Sequence, residues 1–242
     1  MSKILILLYG FIAYAIGMGG LTFFILFVGG WSFMPIHINS GTASVIGPAL
    51  TINFGLILLW GLQHSIMARP GFKKTWTTIV PKAMERSTYV SISGILMIII
   101  SLNWQSIEGV LWDVENTAAR TVLNVLHVSG WAIAVFSTFL INHFDLFGLQ
   151  QVWFNFKDKP EPAPNYTERL FYKIVRHPLQ MGFLMGFWII PTMSWTLFSL
   201  STFMTIYIFI GLHYEEKDLV VSLGDSYTDY QKRVRKLVPI PK

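Results

Sequence analysis

The sequence contains no cysteine, which excludes disulfides, thiolate metal sites and a cysteine nucleophile. Charge is also scarce. Asp, Glu, Lys and Arg supply 13% of the 242 residues, against roughly 25% in soluble domains. The motifs of several enzyme classes are missing. There is no HExxH and no histidine pair at i,i+4, which argues against zinc, and no P-loop, GxGxxG or GxSxG. No repeat, low-complexity stretch or soluble domain stands out along the chain. What is present is apolar: 53% hydrophobic residues and a mean hydropathy of +0.52, gathered in long runs. An integral membrane protein is the class that fits. The net charge of +5 comes from basic residues bordering those runs, so membrane orientation explains it better than nucleic-acid binding.

The runs cover residues 4–28, 49–67, 89–104 and 121–142, followed by a longer stretch, 179–213, interrupted at Pro191-Thr192-Met193-Ser194. The first is too long for the core of a signal peptide and reads as a retained span. A crossing helix needs about 20 apolar residues, and proline disrupts a helix interior. The last stretch is therefore expected to be a helical hairpin turning near Pro191. The expected fold is an all-α integral membrane protein, with four transmembrane helices and a C-terminal hairpin in a single membrane domain. Residues 1–143 hold the four spans, 144–178 a cytoplasmic loop, and 179–242 the hairpin and tail. With this topology, only Arg120 of the 18 Lys and Arg residues falls on the opposite side from the rest. The basic side, with both termini, is then the cytoplasm.

Three polar groups at the cytoplasmic boundary invite chemistry. Arg176-His177-Pro178 opens the final apolar stretch. Proline suits a first helical turn, and the N–H groups and positive dipole end there suit an anion. Glu215-Glu216 closes the stretch, where the dipole disfavours carboxylates and a cationic or hydroxyl-bearing partner would offset them. The hairpin should bring the two together. Tyr227 and Tyr230 lie three apart on one helix face, with Tyr172 in the preceding loop. They suit either an interfacial belt or the wall of a nucleoside pocket. The plainer reading of all these groups is a pair of helix ends anchored at the lipid boundary. His64, His143 and Asp145 also end spans on this side, where each is either a cap or a catalytic candidate.

Gathered, the segments Arg176-His177-Pro178-Leu179-Gln180-Met181-Gly182, Glu215-Glu216-Lys217-Asp218-Leu219 and Gly224-Asp225-Ser226-Tyr227-Thr228-Asp229-Tyr230 resemble the C-terminal signature of the isoprenylcysteine carboxyl methyltransferase superfamily. Those are membrane enzymes that use S-adenosylmethionine. Upstream, Gln63-His64-Ser65-Ile66-Met67-Ala68-Arg69, Glu85-Arg86-Ser87-Thr88-Tyr89-Val90, Asn142-His143-Phe144-Asp145-Leu146-Phe147-Gly148-Leu149 and Pro191-Thr192-Met193-Ser194 resemble a narrower branch. That branch is the bacterial methanethiol S-methyltransferases, close to the nitric-oxide-reduction-associated membrane proteins. The resemblance implies that Tyr172, His177, Pro178, Leu179, Gln180 and Glu215 contact S-adenosylmethionine, under a cover formed by the Pro-rich residues 155–167. The chain departs from the carboxyl methyltransferases at Gln180, where they usually have Tyr. It also has Ile210-Gly211-Leu212-His213 where they carry an Arg proposed to engage a carboxylate. The loss of that Arg argues against a carboxylate acceptor and suits an uncharged thiol.

The implied reaction is methylation of methanethiol to dimethyl sulfide, with S-adenosylhomocysteine as the second product. Asp145, His143 and His64 are the candidate bases, and Trp188 and Met193, with Phe183, the apolar wall for the acceptor. The expected partners are the thiol and membrane lipids, without nucleic acid, metal or an obligate protein partner. The expected location is the inner membrane of a bacterium, with the site facing the cytoplasm. Three alternatives remain open on the residues. They are a related methyltransferase acting on a prenylated or lipid acceptor, a haem protein using histidines among His64, His127, His143, His177 and His213, and a steroid-reductase-like enzyme using NADPH.

Overall fold

A computed structural model describes residues 2–162 and 167–240. Part of the Pro-rich stretch expected to cover the cofactor, Ala163-Pro164-Asn165-Tyr166, lies outside the described residues. Helices dominate: α1 (Lys3–Gly29), α2 (Ile46–Ala68), α3 (Pro70–Trp76), α4 (Lys82–Asn103), α5 (Thr117–Ile141), α6 (His143–Leu146), α7 (Leu149–Phe156), α8 (Pro178–Trp188), α9 (Trp195–Leu223) and α10 (Asp225–Arg233). Two short strands, β1 (Val110–Asp113) and β2 (Thr192–Ser194), and a 3-10 turn at Leu170–Lys173 complete the described elements. Five of the helices, α1, α2, α4, α5 and α9, are long and apolar enough to cross a membrane. The protein is thus a helical, multi-pass membrane protein.

The chain falls into two compact units. One comprises Met1–Ile107 with Asn142–Asn165, the other Glu108–Ile141 with Tyr166–Lys242. In the N-terminal unit α1 packs along α4, and small residues let the backbones approach. A Cβ on Gly20 would meet the backbone of Gly94, and one on Gly94 would meet that of Ile16 and Gly17. Apolar attraction between helices is weak in lipid, so close van der Waals packing of this kind is what holds them. Helix α4 begins about two turns earlier than its apolar run, because its polar residues are satisfied. Glu85 pairs with Lys73 at 3.8 Å. Arg86 donates from Nε to the Leu146 carbonyl at 3.0 Å and lies over the Tyr89 ring at 5.3 Å.

The segment after the fourth span is not one open loop. Asn142 caps α6 by accepting from the Asp145 N–H at 3.2 Å. Gly148, at φ +83, makes the turn into α7, where a side chain would strike the Ser87 backbone. Helix α7 then buries Val152 against Gly10 of α1.

In the C-terminal unit α5 packs on α8 by the same device. Gly182 and Gly186 sit four apart on α8. A Cβ on Gly182 would meet Gly130 and Ala134 of α5, and one on Gly186 would meet the Trp131 indole. The hairpin turn near Pro191 is present, but its arms are unequal. Helix α8 has 11 residues, about 16 Å, and α9 has 29, about 43 Å. The chain between them is extended, and its β2 pairs antiparallel with β1, which lies just before α5. This strand pair is absent from the all-α expectation. It carries the turn level with the start of α5. Ser194 then caps α9, its Oγ accepting from the Leu197 N–H at 3.1 Å.

Candidate functional site

The hairpin returns α9 past the start of α8, where the polar residues of the C-terminal unit converge. Arg176 grips Glu216 with both arms of its guanidinium, Nε to Oε1 at 2.8 Å and Nη2 to Oε2 at 3.0 Å. His177 donates from Nε2 to Oε1 at 2.9 Å. Tyr227 and Gln231 of α10 add donors at 3.4 and 3.3 Å, and Lys236 lies 3.9 Å from Oε2. Five residues therefore serve one carboxylate. The guanidinium and carboxylate are 8% and 15% exposed, a setting in which such a pair is favourable only when its remaining hydrogen-bonding capacity is used. Here it is used, since the last guanidinium nitrogen donates to the carbonyls of Gln231 and Val234.

The backbone reinforces the cluster. The segment after α10 runs beside the residues entering α8, as a parallel bridge between Val175 and Arg235. The Arg176 N–H donates to the Arg235 carbonyl at 2.8 Å and the His177 N–H to the Lys236 carbonyl at 3.1 Å. Tyr230 donates its hydroxyl to the Tyr172 carbonyl. Tyr227 and Tyr230 are buried and pack with Val234. They are bracing core residues of α10, not an interfacial belt. Burial, and the nearby carboxylates, push the Tyr172 and Tyr227 phenols well above their ordinary range, so both remain neutral donors.

Glu215 behaves differently from its neighbour. It stands outside the Arg176 fork, is 47% exposed, and has Oε2 3.9 Å from His177 Nδ1 and 3.3 Å from the Gln180 amide that donates to it. His177, Gln180 and Glu215 thus meet at one place, beside the first turn of α8 that begins with Pro178 and Leu179. Tyr172 is buried behind them, its hydroxyl 3.5 Å from the Ser137 carbonyl.

Trp188 and Met193 are not part of this meeting. Trp188 closes α8 at the opposite end from Pro178, about 15 Å along the axis, where it donates to Thr205 at 2.8 Å. Met193 is fully buried in β2, opposite Trp112.

The candidate bases all lie in the N-terminal unit and do not form one cluster. His143 is buried, and its Nε2 hydrogen-bonds the Tyr14 hydroxyl at 2.8 Å. Burial pushes its imidazole below the ordinary value of 6.5, so it is neutral near pH 7. His64 is held by the Tyr89 hydroxyl at 2.7 Å and Ser93 at 3.2 Å, stacked on Trp60. Asp145 accepts from the side-chain amides of Gln150 and Gln151 at 3.3 and 2.9 Å and orients neither histidine. Of the histidines considered for haem, His64, His143 and His177 carry these hydrogen bonds, and His127 accepts from the Trp131 indole at 3.1 Å.

Tyr14, Tyr89, Gln231 and the carbonyls of residues 234–236 were not anticipated from the sequence. Tyr14 is one of several aromatic residues in the first apolar run and Tyr89 opens the third, and nothing local marks them as partners of histidines.

No protein-family model matches the chain, and no solved structure matches it. Curated proteins do. It is 39% identical to a methanethiol S-methyltransferase of Mycobacterium tuberculosis, across 100% of this chain and 98% of that protein. It is 38% identical to one of Crocosphaera subtropica, over 99% and 93%. Human nurim is more distant, 29% identical over 73% of this chain and 70% of its own. At that identity and coverage, the chain belongs to the methanethiol S-methyltransferase family.

Proposed function

We propose that the protein methylates methanethiol, a small uncharged thiol, to dimethyl sulfide, with S-adenosylmethionine as methyl donor. The observation that carries the donor assignment is the division of the acidic pair. Glu216 is consumed by Arg176 and His177, while Glu215, half exposed beside Gln180, keeps acceptor capacity. The donor sets fit. S-adenosylmethionine presents ribose hydroxyls and an ammonium that a carboxylate accepts from, and a carboxylate that suits a helix N-terminal turn. In this reading Glu215 and Gln180 bind the donor's polar groups, His177, Pro178 and Leu179 shape the start of α8 against it, and Tyr172 backs the site. When bound, S-adenosylmethionine supplies an electrophilic methyl group. The chain's own contribution is mainly positioning, together with removal of the thiol proton, since the thiolate is the nucleophile. His143, neutral and buried, is the first candidate for that proton, ahead of Asp145 and His64. Leu212 is buried and Ile210 apolar where an arginine would be needed for a carboxylate acceptor, which supports an uncharged one.

The loop charges support an orientation with both termini and the Glu215 site on the cytoplasmic face of a bacterial inner membrane. The extended connection after α8 supports a hairpin that crosses, giving an even number of passages. The test is headspace analysis of membranes supplied with methanethiol and S-adenosylmethionine carrying a deuterated methyl. Labelled dimethyl sulfide is expected; its absence from a preparation that binds S-adenosylhomocysteine would overturn the acceptor assignment.

A further inference from the structure

We infer that Glu216 is a positioning residue for His177. It holds the imidazole with a proton on Nε2 and so turns Nδ1 toward Glu215, the side on which the donor is proposed to bind. The inference deepens the donor-site reading and rests on it for what Nδ1 meets. Neighbouring residues on an α-helix point about 100° apart, so Glu215 and Glu216 reach the His177 ring at different nitrogens. Glu216 also meets Tyr227 and Gln231 of α10, and Glu215 meets Gln180 of α8. A carboxylate held between two arms of a guanidinium is an acceptor. His177 Nε2, 2.9 Å from Oε1, must therefore be the protonated nitrogen. The imidazole is 4% exposed, and its backbone N–H is pinned to the Lys236 carbonyl, so ring and main chain are fixed together. Nδ1, at 3.9 Å from Glu215 Oε2, is beyond hydrogen-bond range and is the ring atom left to address a ligand. The proton on one imidazole nitrogen is set by the partner of the other. A supporting carboxylate of this kind typically changes affinity or activity by about 10- to 100-fold when lost.

The experiment uses the full chain in detergent micelles with ¹⁵N-labelled histidine, the His177 signals being assigned by their loss in His177→Gln. The wild-type ring is expected to carry its proton on Nε2. In Glu216→Gln the amide donates as readily as it accepts, so a mixture of tautomers is expected. Affinity for S-adenosylhomocysteine should fall about tenfold, with partial recovery of both in Glu216→Asp. A wild-type ring without a proton on Nε2 overturns the inference, whether or not the variants fold. So does a Glu216→Gln protein that loses thermal stability while tautomer and affinity stay as in the wild type, because Glu216 is then a brace and no more. Failure of the wild type to bind S-adenosylhomocysteine would sink the donor-site reading instead, and the tautomer result would stand apart from it.

Discussion

His177 in one unit and His143 and His64 in the other are held in opposite ways. In the C-terminal unit His177 is held by a carboxylate that also carries a guanidinium, inside a network of charged donors. In the N-terminal unit His143 and His64 are held by phenol hydroxyls, Tyr14 and Tyr89. A carboxylate partner fixes the tautomer of the ring, which suits a residue that positions a polar ligand. Beside a neutral phenol, burial keeps the His143 ring uncharged near pH 7 and able to take a proton, which suits a base. On this contrast we propose binding for the charged cluster and proton removal for the neutral histidines.

The contrast breaks most visibly in turnover. His143→Gln is expected to lower kcat by about 10²- to 10⁴-fold, the usual contribution of general base catalysis, with affinity for S-adenosylhomocysteine unchanged; equal turnover would pass the role to His64 or Asp145. The pH profile carries the same assignment. Because burial lowers the His143 pKa below 6.5, the ring stays neutral as the medium is acidified through that value. The acid limb of kcat should therefore lie below pH 6.5, where the ring finally takes a proton. A limb above it would contradict a neutral buried base.

Stability separates the units next. Arg176→Met leaves Glu216 buried without its main partner and should destabilise the fold by about 3–5 kcal/mol, read from unfolding in mixed micelles. Tyr14→Phe removes one neutral hydrogen bond and should cost about 0.5–1.5 kcal/mol by the same measurement. Equal losses would mean that the two kinds of support do not differ.

Much of the architecture was legible because lipid demands it. The apolar runs located α1, α2, α4 and α5 to within a turn or two, and Pro191 located the hairpin. Strand β1 was not legible. Val110-Leu111-Trp112-Asp113 is short, ends in a charge, and finds its partner at Thr192-Met193-Ser194 far along the chain, where no local pattern reaches. Helix α7 was missed because Gln150, Gln151 and Asn155 interrupt its apolar residues. At the site, the hairpin logic correctly joined Arg176 and His177 to the acidic pair. It could not divide Glu215 from Glu216, two identical neighbours whose roles depend on which side of α9 the α10 segment occupies. The tail at residues 234–236 reads as merely basic, and its role is carried by carbonyls, which sequence does not distinguish.

We propose that Glu215 binds the methyl donor. The most direct test is calorimetric titration of S-adenosylhomocysteine into the wild type and Glu215→Gln, with NADPH as a control. The expected result is binding to the wild type and affinity at least about tenfold weaker in the variant, as for loss of a charged hydrogen-bond acceptor. Melting should be unchanged, with no heat from NADPH. Equal affinity in both proteins, or binding of NADPH in place of S-adenosylhomocysteine, would contradict it.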